Sequence, residues 1–152
     1  MAFWLMKSEP DEFSIDDLAH CENQTETWDG IRNYQARNFL RDKVDLGDIV
    51  FFYHSSCKVP GIVGLATVSS APFIDQSAFD QASTYFDANS SIDNPRWVAV
   101  DLTFKAKFSR IITLTELKAD PNLAEMVLVS KGARLSVQPV TQQEFDYILS
   151  LE

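Results

Sequence analysis

The chain has 152 residues, 45% hydrophobic and 23% charged, with 5 Gly and 6 Pro. That composition excludes disorder, collagen and solenoid arrays, and it fits one globular domain spanning 1–152. With 13 Lys and Arg against 22 Asp and Glu, the formal charge is -9, which excludes affinity for duplex nucleic acid driven by bulk electrostatics. Cys21 and Cys57 lack CxxC spacing and point to a reducing compartment, the cytoplasm, or the nucleus if the source is eukaryotic. The apolar start, Met1 to Met6, has no basic region ahead of it and reaches Lys7 at once, so it reads as neither a signal peptide nor a membrane span.

Ala2 to Lys7 reads as a buried strand stopped by Pro10, and Ser14 as the cap of a helical turn with Asp16 and Asp17 in its first turn. Cys21 to Thr27 is polar and loop-like. Asn33 can cap a helix running to about Arg41, with Tyr34, Ala36, Phe39 and Leu40 at helical spacing. Ile49 to His54 and Gly61 to Val68 are β-branched and aromatic runs either side of a Pro/Gly connection, a hairpin. Ser69 to Pro95 is an irregular excursion, of a length that often carries function.

From Trp97 to Phe108 apolar and polar residues alternate as in a half-exposed strand. Thr113 with Glu116 and Thr141 with Glu144 are capping boxes that start two helices. Leu135 to Val140 alternates until Pro139, a short strand ending at an edge. About five strands with no βαβ rhythm predict an α+β fold, a partly closed, mostly antiparallel β-barrel with peripheral short helices.

The two histidines, His20 and His54, stand in no nucleophile-elbow motif, and the chain contains neither a GxxxxGK[ST] nor a GxGxxG loop. His54 and Cys57 lack the further ligands that a metal site needs. No cofactor and no metal are called for. Polar groups instead gather beside aromatics at strand ends, in Lys7-Ser8-Glu9, Trp28 to Tyr34, Tyr53-His54-Ser55 and Arg134 to Gln138. A pocket with an aromatic wall and a few amide or hydroxyl groups suits a flat heterocycle. Residues 31–70 carry five bases and three acids, whereas residues 1–30 carry one base and eight acids, so a basic surplus is expected at the candidate site.

The stretches Trp4-Leu5-Met6-Lys7-Ser8-Glu9-Pro10, Trp28-Asp29-Gly30-Ile31-Arg32-Asn33-Tyr34-Gln35-Ala36-Arg37-Asn38, Phe52-Tyr53-His54-Ser55, Gly61-Ile62-Val63-Gly64, Asn94-Pro95-Arg96-Trp97 and Arg134-Leu135-Ser136-Val137-Gln138-Pro139-Val140 occur in this order along the chain. Together they resemble EVE-domain proteins. The resemblance implies a PUA-like fold related to YTH domains, no catalytic activity, and a pocket for a modified base in DNA or RNA. The expected partner is a nucleic acid carrying such a base, single-stranded or flipped out, and not a membrane.

Each candidate residue has two readings. Trp28 either stacks on the base or anchors the core, and Asn33 reads a base edge or caps its helix. Alternation sends Tyr53 and Ser55 to one face and His54 to the other, so only one of these sets faces a pocket. Ser8 hydrogen-bonds the base or ends the first strand. Ser136 and Gln138 share a strand face, and a buried Gln needs partners. Lys7, Arg32, Arg37 and Arg134 contact phosphate or pair with acids, and Lys58 and Arg96 are further backbone contacts. The competing function classes are a small enzyme on a nucleotide or related metabolite with His54 as acid/base, and a scaffold with an empty pocket.

Overall fold

The computed structural model describes residues 1–132 and 134–152. Seven strands form one mixed sheet: β1 (Phe3–Ser8), β2 (Thr25–Trp28), β3 (Ile49–His54), β4 (Gly61–Val68), β5 (Phe73–Ile74), β6 (Val98–Thr113) and β7 (Val137–Val140). Four short helices surround it: α1 (Ile15–His20), α2 (Tyr34–Asp42), α3 (Leu114–Ala119) and α4 (Gln142–Leu151). The strand order is β2-β6-β4-β3-β1-β7, with β5 paired to β6. The path ends at β2 and β7 without joining them, so the sheet is open.

Both faces are covered. Trp4 and Met6 of β1, with Val50 and Phe52 of β3, pack under α1 and α2 through Ile15, Leu18, Ala36 and Leu40. The alternate residues Leu5, Phe51 and Tyr53 pack on the other face against Leu117, Phe145 and Ile148 of α3 and α4. Burial on both faces explains why β1 and β3 read as continuous apolar runs. The sheet is strongly curled. Trp28 on β2 and Phe52 on β3 are three strand steps apart, about 14 Å in a flat sheet, yet their rings meet at 5.4 Å between centroids. Close approach of β4 to β6 at the bulges helps this curl, because a Cβ on Gly64 would collide with the Ala106 carbonyl.

Several expectations need correction. Among the described residues there are seven strands rather than about five, and Thr25–Trp28 is β2, not loop. Its polar sequence is held by cross-strand contacts, Thr25 Oγ1 to Thr103 Oγ1 and Thr27 Oγ1 to Asp101 Oδ1, both 2.8 Å. β6 continues past Phe108 to Thr113. β1 and β3 run parallel, in register from Phe3↔Ile49 to Ser8↔His54. The last strand starts at Val137, two residues later than its alternation suggested. The caps at Ser14, Asn33, Thr113 and Thr141 all form.

A buried carboxylate fixes the first strand. Asp48, 3% exposed, accepts from the Ala2 N–H at 3.0 Å, the Trp4 indole N–H at 2.9 Å and the Asp45 N–H at 2.9 Å. Asp48→Ala would strand these donors, at a cost of about 3 kcal/mol. Chemical denaturation measures that loss. Asp48→Asn, which keeps one acceptor oxygen, is expected to lose less.

Candidate functional site

The ends of β1, β2 and β3 open on one side into a cleft of about 700 Å³. Trp28, Phe13 and Ile31 give it apolar wall, and Ser8, Ser55, Ser56 and Ser136 give it hydroxyls. Lys7 and Arg134 are its bases, and Glu9, Glu12, Glu26 and Asp29 its acids. Tyr85 reaches in from the excursion.

The inner wall is built by aromatic packing. Trp28 meets Phe13 and Phe52 edge-on, at 6.0 and 5.4 Å between centroids, which fixes its ring with 8% exposure. Trp4 and Trp97 donate their indole N–H groups to Asp48 and Asp87 at 2.9 and 2.7 Å. Among the described residues the Trp28 indole N–H has no such partner, and no buried side-chain nitrogen is left unpaired. Trp28 itself lines the cleft.

The outer wall depends on Asp75. Its carboxylate, 1% exposed, accepts from the Gly30 N–H at 2.9 Å, the Arg32 guanidinium at 2.9 Å and the Ser77 N–H at 2.9 Å. Burial alone would push this carboxyl up; hydrogen bonds from Ser77, Gly30 and Arg32 hold it below the usual carboxylate range. Arg32 also donates to the Tyr85 carbonyl at 3.0 and 2.7 Å. Tyr85 is thereby laid over Gly30, whose φ is +79° and where an added Cβ would sit 2.7 Å from the ring.

Burial and nearby charges tune the ionisable groups. Asp29 stands at the rim, and partial enclosure, with the Asp75 charge added, pushes its carboxyl up. Lys7 is half-buried, which pulls its ammonium down. Its Nζ lies 5.7 Å from the Tyr53 ring. The Tyr53 phenol is pushed up to about 12 by burial, with a smaller contribution from Cys57.

Of the candidate residues, Lys7, Ser8, Trp28, Ser55, Ser136 and Arg134 come together at the cleft. Ser8 Oγ donates to the Phe13 carbonyl at 2.6 Å, leaving it acceptor capacity only. Asn33, Tyr53, His54, Gln138, Arg32 and Arg37 are not among its lining. Asn33 Oδ1 caps α2 through the Ala36 N–H at 3.0 Å. Tyr53 is buried in the core of the opposite face. Gln138 is 1% exposed and donates to the Leu135 carbonyl at 2.9 Å. Arg32 is occupied by Asp75 and Tyr85, and Arg37 donates to the Arg96 carbonyl at 2.6 Å. Ser55 enters without Tyr53 because it lies beyond the end of β3, where alternation no longer holds.

The expected basic surplus is not in the cleft either: its bases are Lys7 and Arg134, outside residues 31–70. Phe13, Asp29 and Tyr85 are lining residues that sequence reasoning passed over. Asp29 was visible in Trp28-Asp29-Gly30, but Tyr85 sits in a stretch without periodicity. Among the described residues no group of three or more His, Cys, Asp or Glu is placed to hold a metal ion. No helix among them is long and apolar enough to cross a membrane.

His54 Nε2 accepts the Ile15 N–H at 3.1 Å, satisfying the first turn of α1. Burial pulls its imidazole below the usual value, with Asp16 opposing. A depressed histidine takes up protons more readily in the unfolded chain, so its contribution is complete above about pH 6.5 and declines as pH falls below that. His54→Gln should flatten the fall in Tm between about pH 7 and pH 5. An equal fall in both proteins would contradict this.

Residues 2–151 match the EVE domain. Human thymocyte nuclear protein 1 is 46% identical over 166 residues, covering 98% of this chain and 73% of that protein; the zebrafish (Danio rerio) protein of the same name is 45% identical, covering 98% and 71%. A crystal structure of a Pseudomonas putida protein superposes with a TM-score of 0.94 at 49% identity, covering 99% of each chain. The human THYN1 protein, crystallised in complex with DNA containing 5-methylcytosine, superposes with a TM-score of 0.94 at 45% identity, covering 99% of this chain and 97% of that one. A match from end to end, in sequence and in fold, makes this chain a member of the EVE-domain family.

Proposed function

We propose that this protein is a non-enzymatic reader that takes a modified base of a nucleic acid, 5-methylcytosine in DNA foremost, into the cleft beside Trp28. The observation that carries the reading is the cleft itself, where an indole fixed by aromatic packing stands among hydroxyls and carboxylates. The complex of the human THYN1 protein with 5-methylcytosine-containing DNA supports this choice of ligand. In this reading the Asp29 carboxylate accepts from the exocyclic amino group of the cytosine, the pairing that carboxylates make with that base. The Trp28 N–H and the hydroxyls of Ser55 and Ser136 complete the polar edge. Phe13 and Ile31 supply apolar surface for the 5-methyl group, and Lys7 and Arg134 meet the adjoining phosphates.

The acids around the cleft support a flipped or single-stranded substrate, because they repel the phosphates of an intact duplex. His54, the acid/base candidate of the enzyme reading, is engaged with Ile15 and outside the cleft lining, which weighs against catalysis there. Both cysteines are free, in keeping with the cytoplasm, or with the nucleus in a eukaryotic source. The strong curl of the open sheet is in keeping with the PUA-like fold that the resemblance implies.

Fluorescence polarisation with short single-stranded DNAs tests the reading. An oligonucleotide with one 5-methylcytosine is expected to bind about tenfold more tightly than its unmethylated twin. Trp28→Ala should weaken binding at least about fivefold. Equal affinity for both DNAs, or full affinity in Trp28→Ala, would overturn it.

A further inference from the structure

Beyond the cleft, an aromatic and basic ladder runs out from its outer wall. Tyr85, which lines the cleft, lies 5.8 Å from the Arg32 guanidinium, and Arg32 lies 5.3 Å from the Trp97 ring. Trp97 stacks on Tyr34 at 4.8 Å with 28° between the ring planes. Arg37 closes the ladder, 4.9 Å from the Tyr34 ring and 5.9 Å from Trp97. Arg96 Nη1 donates to the Tyr34 hydroxyl at 3.3 Å.

Three features set this ladder apart from ordinary core packing. Tyr34 remains 50% exposed although its ring is held in place by Trp97, so the ordering of a large aromatic surface is already complete before any ligand arrives. Arg37 and Arg96 form no salt bridge among the described residues, in a chain with nine more acids than bases. Arg37 instead donates to the Arg96 carbonyl and to Asn38 Oδ1, which orders the guanidinium without neutralising it. A fixed aromatic surface flanked by two guanidinium groups that stand in no salt bridge among the described residues is the combination that holds a single strand, by stacking on any base and pairing with its phosphates.

We propose that this ladder is a second nucleic-acid contact, which binds the nucleotides flanking the base held in the cleft. Tyr34 takes a neighbouring base or sugar, and Arg37 and Arg96 take phosphates. The assignment rests on the cleft reading for the position of the strand, and it explains how a protein of charge -9 gains affinity from DNA that it cannot gain from a free base. Arg37 and Arg96 are not among the residues that line the acidic cleft.

The test compares two probes, 5-methyl-2′-deoxycytidine as the free nucleoside and a single-stranded DNA of about nine nucleotides with one central 5-methylcytosine, a length that spans a site of the size typical for such surfaces. Arg96→Gln removes one guanidinium and a single hydrogen bond to Tyr34, and Tyr34→Ala removes the platform; circular dichroism and Tm check that each variant folds. The expected result is at least about a fivefold loss of oligonucleotide affinity in each. In Arg96→Gln the slope of log affinity against log salt should also shrink by about 0.7. Parental oligonucleotide affinity and salt slope in both folded variants would overturn the ladder. The nucleoside separates the two readings: its failure to bind the parent protein would contradict the cleft, while the oligonucleotide comparison would still decide the ladder.

Discussion

The Asp75 carboxylate is the tie on which the site's geometry depends. It is sealed from solvent, and the protein surrounds it with donors from two segments more than forty residues apart, Gly30 and Arg32 on one side and Ser77 on the other. An ionised buried carboxylate without those donors would be strongly unfavourable, so the excursion after β4 has to fold back over the end of β2. That return places Tyr85 on Gly30 and makes the second wall of the cleft. It also brings Trp97 beneath Arg32 and beside Tyr34, from which the ladder extends.

The curl of the sheet provides the other wall. Trp28 and Phe52 meet across three strand steps, so the ends of β1, β2 and β3 surround one concave opening instead of lying along a line. Asp48 performs for the first strand what Asp75 performs for the excursion, with Trp4 as one of its donors. Two of the three tryptophans thus spend their N–H on buried or partly buried aspartates, and Trp28 has no such partner among the described residues. Four of the chain's 22 acids, Glu9, Glu12, Glu26 and Asp29, line the opening, where they oppose phosphate and favour a ligand edge rich in N–H donors. Lys7 and Arg134 are the cleft's bases, while Arg37 and Arg96, which stand in no salt bridge among the described residues, lie outside its lining.

Much of the fold was legible because its signals are local. The apolar runs of β1, β3 and β4, the alternation of β6 and the capping boxes at Thr113 and Thr141 each depend on residues within one element. β2 was not legible: Thr25-Glu26-Thr27-Trp28 is short and polar, and it becomes a strand through partners on β6 some seventy-five residues away. The parallel pairing of β1 with β3 is likewise a tertiary fact, since a parallel neighbour leaves no mark in a strand's own sequence. The site shows the same division. Ser8, Trp28 and Ser136 could be anticipated because strand ends bearing polar groups tend to converge. Asn33, Tyr53 and Gln138 carry the right chemistry but are absorbed by a helix cap and by inward-facing positions. Tyr85 is placed by Asp75 and Arg32, which no local pattern reveals.

The claim that a base enters beside Trp28 is most directly tested by NMR, through the indole N–H signals of the three tryptophans in 15N-labelled protein. Titration with single-stranded DNA carrying one 5-methylcytosine is predicted to shift the Trp28 signal strongly and to leave that of Trp4, bound to buried Asp48, in place. A Trp28 signal that stays fixed while the DNA binds would contradict the account.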